Sequence, residues 1–128
     1  MLRATLISAS LISAVFPAVA AEQCPAGLVG LDKIEQAIRA TQTCQRAFNL
    51  FDACRYNSSG DVTLSAVVIK KCEASFASKL TPARRKSYQA EISACRRKYE
   101  HKSGTMYVSF AVTCEAMVAV KYQRAQRR

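Results

Sequence analysis

Six cysteines, Cys24, Cys44, Cys54, Cys72, Cys95 and Cys114, are the residues of this 128-residue chain best equipped for chemistry. Thiols can ligate metal, attack as nucleophiles or cross-link, and their spacing separates these uses. The count is even, the spacing is wide and zinc-ligand spacing is missing, which points to three disulfides in an oxidising compartment. His101 is the single histidine, has no serine or cysteine with it in a nucleophile motif, and reads as a helix-end residue. Paired carboxylates and phosphate-cradling glycine loops are missing too, and the nine acids are scattered among more numerous bases. No catalytic residue, metal site or cofactor is expected, and the chain is not expected to be an enzyme.

The segment Asn57-Ser58-Ser59-Gly60-Asp61-Val62-Thr63 resembles the glycine-centred half of a calcium loop. With Gly60 at the sixth position, Arg55 would be the first ligand and Ala66 the bidentate twelfth, so a cation and a methyl replace the two carboxylates. It reads instead as a capped turn between helices.

The other chemistry is charge. Without its first 21 residues the chain holds eighteen basic and nine acidic side chains, a formal charge of +9. Residues 22–83 contribute seven bases and six acids, residues 84–128 eleven and three. A field placed in this way attracts anionic surfaces such as lipid headgroups, lipopolysaccharide, acidic glycans or nucleic acid, with affinity that falls as salt rises. Arg84, Arg85, Lys86, Arg96, Arg97 and Lys98 are the candidate residues for an anionic partner.

The first 21 residues set the compartment. Arg3 precedes an apolar run from Leu6 to Val19, and small residues Ala18, Ala20 and Ala21 stand at and just past its end. This is the layout of a secretory signal peptide, with cleavage expected after Ala21, Ala20 being the other choice. The run is shorter than the roughly 20 residues of a membrane span. A periplasmic or secreted product is expected, and nucleic acid is not an expected partner there.

Residues 22–128 read as one all-α domain of four helices with a basic C-terminal end. Leu31, Ile34, Ile38, Cys44, Phe48 and Phe51 recur near a helical period and predict one long helix from Leu31 to Cys54, preceded by an irregular arm from Pro25 to Gly30. After the Asn57–Asp61 break, Leu64, Val68, Cys72 and Phe76 mark the second helix. Thr81-Pro82 starts the third, with threonine as cap and proline where its missing N–H costs nothing. Its buried stripe is Tyr88, Ile92, Cys95 and Tyr99, leaving the six cations mostly outside it. Residues eleven apart return to nearly the same angle, so Arg85 aligns with Arg96 and Lys86 with Arg97. Lys102-Ser103-Gly104-Thr105 closes the third helix, glycine turning the chain and threonine capping the next. The fourth begins near Met106, turns Phe110, Cys114 and Met117 inward, and frays over Lys121 to Arg128.

Antiparallel helices bring together residues equidistant from their turn. Cys95 with Cys114 satisfies this rule about Lys102–Thr105 and is the best pair. Cys54 with Cys72 brackets the Asn57–Asp61 turn less symmetrically, leaving Cys24 for Cys44. Cys44 and Cys54 cannot join within one unbroken helix, being about 15 Å apart.

Ala94-Cys95-Arg96-Arg97, then Ser103-Gly104-Thr105-Met106-Tyr107, Cys114 and the basic end Lys121 to Arg124 together resemble the C-terminal half of the LprI-type lysozyme-inhibitor family. That family carries a tryptophan segment for which this tryptophan-free chain has no counterpart. The resemblance implies a small exported helical protein that binds and inhibits a muramidase. The charge of +9 would repel a cationic lysozyme, so an acidic or neutral muramidase is the expected target.

Overall fold

A computed structural model describes residues 22–127. The expected signal peptide lies outside the described residues. Five α-helices follow in order: α1 (Leu31–Ala40), α2 (Cys44–Cys54), α3 (Asp61–Phe76), α4 (Pro82–Tyr99) and α5 (Thr105–Ala125), with a short 3-10 turn, Ala77–Lys79, between α3 and α4. No strand occurs among the described residues. The class is all-α, with one helix more than the sequence pattern suggests.

The extra helix comes from a break at Thr41–Thr43. Thr41 Oγ1 donates back to the Ile38 carbonyl, and Lys71 Nζ of α3 takes the carbonyls of Arg39 and Thr41 at 2.9 and 2.6 Å. A cation is thereby placed on the free carbonyls at the end of α1, where the helix dipole favours it. Thr43 then caps α2, its hydroxyl accepting from the Arg46 amide.

That break changes the disulfide map. Cys24 pairs with Cys54, Cys44 with Cys72 and Cys95 with Cys114. The last is the pair expected; Cys54–Cys72 and Cys24–Cys44 are not formed. Once α2 stands alone, the α2–α3 hairpin places Cys44 and Cys72 almost equally far from the Asn57–Asp61 turn, and the N-terminal arm folds back to the far end of α2. No cysteine is free. Three disulfides mark a domain of an oxidising, extracytosolic compartment. None of the described helices is long and apolar enough to cross a membrane.

The core lies among α1, α2, α3 and α5. Ile34, Ile38, Phe51, Leu64, Val68 and Phe76 are all essentially inaccessible. Each such side chain contributes about 1.5–3 kcal/mol of transfer free energy. The Asn57–Asp61 turn separates α2 from α3 as expected, but no side chain caps α3, and the turn is held from within instead. The buried Asp61 carboxylate accepts from the Tyr56 and Ser58 amides at 2.8 and 3.3 Å and from Ser109 Oγ of α5 at 2.6 Å. Thr81 caps α4 through the Arg84 amide, and Gly104, at φ 114°, makes the turn into α5 that an L side chain would strain. Thr105 itself is the first residue of α5 and makes no cap.

α5 is rotated from its expected orientation. Met117 is 56% exposed and Phe110 and Cys114 sit at the margin, while Ser109, Thr113, Ala116, Val120 and Gln123 face inward. The inward stripe is displaced by one residue, about 100° around the helix. Small side chains there let α5 approach α3 closely enough for Ser65 Oγ to reach the Val112 carbonyl at 2.7 Å. Nor does the C-terminal end fray from Lys121: Tyr122 is enclosed, and Arg124 bonds Gln45 of α2 at 2.6 Å.

Candidate functional site: the α3–α4 cleft

α3 has more apolar surface than its core face uses. Beyond Leu64, Val68, Cys72 and Phe76, a second stripe of Val62, Ala66 and Ile69 repeats at four and three residues, and Val62 is 45% exposed. α3 and α4 each lie along α5, but their backbones do not pack on one another. At their joined end Tyr88 of α4 meets the Phe76 ring edge-on, 5.2 Å between centroids, and donates its hydroxyl to Glu73 at 2.8 Å. Away from that end the helices leave a cleft of about 980 Å³.

The cleft has two unlike walls. α3 supplies Val62, Ala66 and Ile69, with Ala77 and Leu80 at the closed end. α4 supplies Arg85, Gln89, Ser93 and Arg96, a polar stripe with a cation at each end, and beside it the more buried Tyr88 and Ile92. Val112 and Glu115 of α5 also line it, and Lys70 stands on the α3 side. Beyond Val62 and Arg96 a smaller pocket of about 460 Å³ continues toward Tyr99, Lys102, Tyr107 and Val108.

Both carboxylates of the cleft have partners. Glu73 accepts from Tyr88, whose hydroxyl is held well above the usual phenol range by burial and then by that bond. Glu115, only 5% exposed, receives Arg96 Nε at 2.5 Å, and this bond holds the Arg96 guanidinium further above its ordinary value. Arg96 itself remains 72% exposed.

The six cations expected to meet an anionic partner are all exposed, but they do not form one patch. Arg85 and Arg96 share the cleft, as their eleven-residue spacing suggests; Arg85 also reaches the Ala77 carbonyl at 3.3 Å. Arg84 lies over the Tyr122 ring at 5.1 Å and Lys98 over Tyr99 at 5.4 Å. Lys86 and Arg97 have no ion-pair or side-chain hydrogen-bond partner among the described residues. His101 is exposed and meets Glu100 at 3.3 Å. No cluster of metal-ligating residues occurs among the described residues.

Sequence reasoning did not identify Val62, Ala66, Ile69, Lys70, Gln89 and Ser93 as site residues. Their signal was the breadth of apolar surface on α3 against the thinness of it on α4, which buries only Tyr88 and Cys95. Two helices so unequal cannot cover each other. Comparison with family models, curated proteins and solved structures finds no match to this chain.

Proposed function

We propose that this chain is a non-enzymatic binding protein of an export compartment such as the periplasm, engaging an acidic protein partner through the α3–α4 cleft. The observation that carries the reading is the coincidence, on one cleft, of an unpartnered apolar stripe and a cation-ended polar stripe. Apolar area supplies affinity and the cations orient the encounter. The resemblance of the C-terminal half to lysozyme inhibitors supplies one candidate partner, a muramidase of acidic or neutral surface. Oxidised protein added at equimolar amounts to acidic and cationic muramidases tests it. Inhibition of the acidic enzymes at moderate salt is expected; inhibition of none removes the muramidase from the proposal.

Lys86 and Arg97 favour a second reading, in which the outer face of α4 rests on anionic glycans or lipid headgroups. Binding to anionic vesicles that collapses with salt, and with Lys86→Glu plus Arg97→Glu, is its expected signature.

A further inference from the structure

We infer that the occupant of the cleft is an amphipathic α-helix of the partner, apolar on one side and acidic along its edge. The inference rests on the cleft-binding reading above and names what binds. Arg85 and Arg96 stand eleven residues apart on α4, about 16 Å along the helix. One anionic headgroup reaches one of them, whereas two carboxylates three turns apart on a docked helix reach both. The wall between them matters as much. Gln89 and Ser93 line it beside Tyr88 and Ile92, and an acyl chain laid there would strip the two polar side chains of water without replacing their hydrogen bonds. A helix lying between α3 and α4 presents leucine-like side chains to Val62, Ala66 and Ile69 and a polar edge to Gln89 and Ser93, the helix-in-groove mode of recognition. Charge agrees: Lys70 and Arg85 have no carboxylate partner among the described residues, and Arg96, though paired with Glu115, keeps 72% of its side chain exposed to share with a second carboxylate, while Glu73 and Glu115 are both engaged. Lys102 adds a cation in the smaller pocket beyond the cleft.

The probe is a fluorescent synthetic helix with a leucine stripe at three- and four-residue steps and two glutamates eleven residues apart, read by anisotropy on the oxidised chain. Its control carries lysines for those glutamates. Ala66 is exposed on the cleft wall, so Ala66→Trp fills the cleft without entering the core. Ala66→Trp and Arg85→Glu should each weaken the acidic helix roughly tenfold or more, while Lys86→Glu leaves it within about twofold; circular dichroism confirms that each variant is folded. Equal binding of the lysine control overturns the inference. So does an equal loss in Lys86→Glu, or the absence of saturable binding up to about 1 mM. Laurate is the acyl-chain arm: saturation by laurate without peptide binding also overturns it. Failure of the helix with retained inhibition of a muramidase sinks this inference alone; failure of helix, muramidase and vesicles together sinks the binding reading with it.

Discussion

The two halves of the molecule are held together by different physics. Two disulfides join the N-terminal arm to α2 and α2 to α3, and α1, α2 and α3, with α5 laid against them, enclose Ile34, Ile38, Phe51, Leu64, Val68 and Phe76 almost completely. α4 contributes only Tyr88 and Cys95 to the interior; one disulfide and the Arg96–Glu115 and Lys121–Glu91 ion pairs fasten it to α5, and a cluster of Tyr88, Tyr122 and Phe76 rings seats it on both α5 and α3. The first arrangement spends apolar surface on the core. The second keeps α4 polar, so a cationic helix is presented beside an uncovered apolar stripe. The cleft exists because the helices on either side of it are held by unlike means.

Removing cross-links separates the halves most strongly. Cys44→Ala with Cys72→Ala should cost about 2–5 kcal/mol and lower the denaturation midpoint of the whole domain. Cys95→Ala with Cys114→Ala should cost less and act locally, with hydrogen exchange rising in α4 while α1–α3 stay protected. Equal global losses from both double variants would abolish the distinction.

Asp61 is the next test, since it joins the α2–α3 turn to α5. Asp61→Ala leaves two amides and the Ser109 hydroxyl without their acceptor and should cost about 3 kcal/mol in chemical denaturation. Ser109→Ala, which removes one of those donors, should cost about 1 kcal/mol. A larger effect for Ser109→Ala would mean that α5, and not the turn, depends on the carboxylate.

These devices differ in how far the chain betrays them. The breaks at Asn57–Asp61, Thr81-Pro82 and Gly104 were legible because each rests on local chemistry: turn residues, a cap with proline, a positive φ. The break after Ala40 was not, because a lysine thirty residues away, Lys71, stabilises it. Missing that break misassigned two disulfides, although the equidistance rule that finds Cys95–Cys114 also finds Cys44–Cys72 once α2 is free. The orientation of α5 was misread for a related reason. Hydrophobicity ranks Met117 above Ser109 and Ala116, but close approach to α3 selects small side chains. Arg85 and Arg96 were legible as a pair from helical spacing alone; their apolar counterpart on α3 was not, since a second stripe looks like core until the neighbouring helix is placed.

The Arg96–Glu115 pair probes how α4 is seated at the open end of the cleft. The partners are unequally exposed, so their removal should be unequal. Arg96→Ala strands a buried carboxylate and should cost about 2 kcal/mol. Glu115→Gln leaves an exposed guanidinium that water satisfies and should cost less than about 1 kcal/mol. The reverse order in thermal or urea unfolding would show that Glu115 has another partner in the folded protein.

Alkali should loosen the seating of α4 on α3 and α5. Tyr88 and Tyr122 are both held above the ordinary phenol range, chiefly by burial and then by their bonds to Glu73 and Glu91. The unfolded chain releases these protons near pH 10. The folded protein keeps them, so their contribution is present below that pH and is lost as pH rises above it. Stability should fall from about pH 10 upward, and less steeply in Tyr88→Phe. An identical slope in wild type and variant would remove Tyr88 from the account.

Acid should act on the same seating more weakly, through Glu91. Lys121 Nζ bonds it at 2.5 Å and Tyr122 donates to it at 2.9 Å. The Lys121 bond is the larger cause holding its carboxyl below the usual range; burial opposes, and Tyr122 and the nearby Arg84 add to the lowering. The contribution is therefore present above the unfolded value of about 4.3 and disappears as pH falls through the lower folded value. Glu91 is 38% exposed, so water and salt screen the pair and the effect on unfolding should be slight. Nuclear magnetic resonance titration of the Glu91 carboxyl is the sharper measurement. Lys121→Ala should move its midpoint upward, and added salt should reduce the difference from wild type. An unmoved midpoint would assign the seating of α4 to the Cys95–Cys114 bridge and the tyrosine rings, and leave its charged contacts free for a partner.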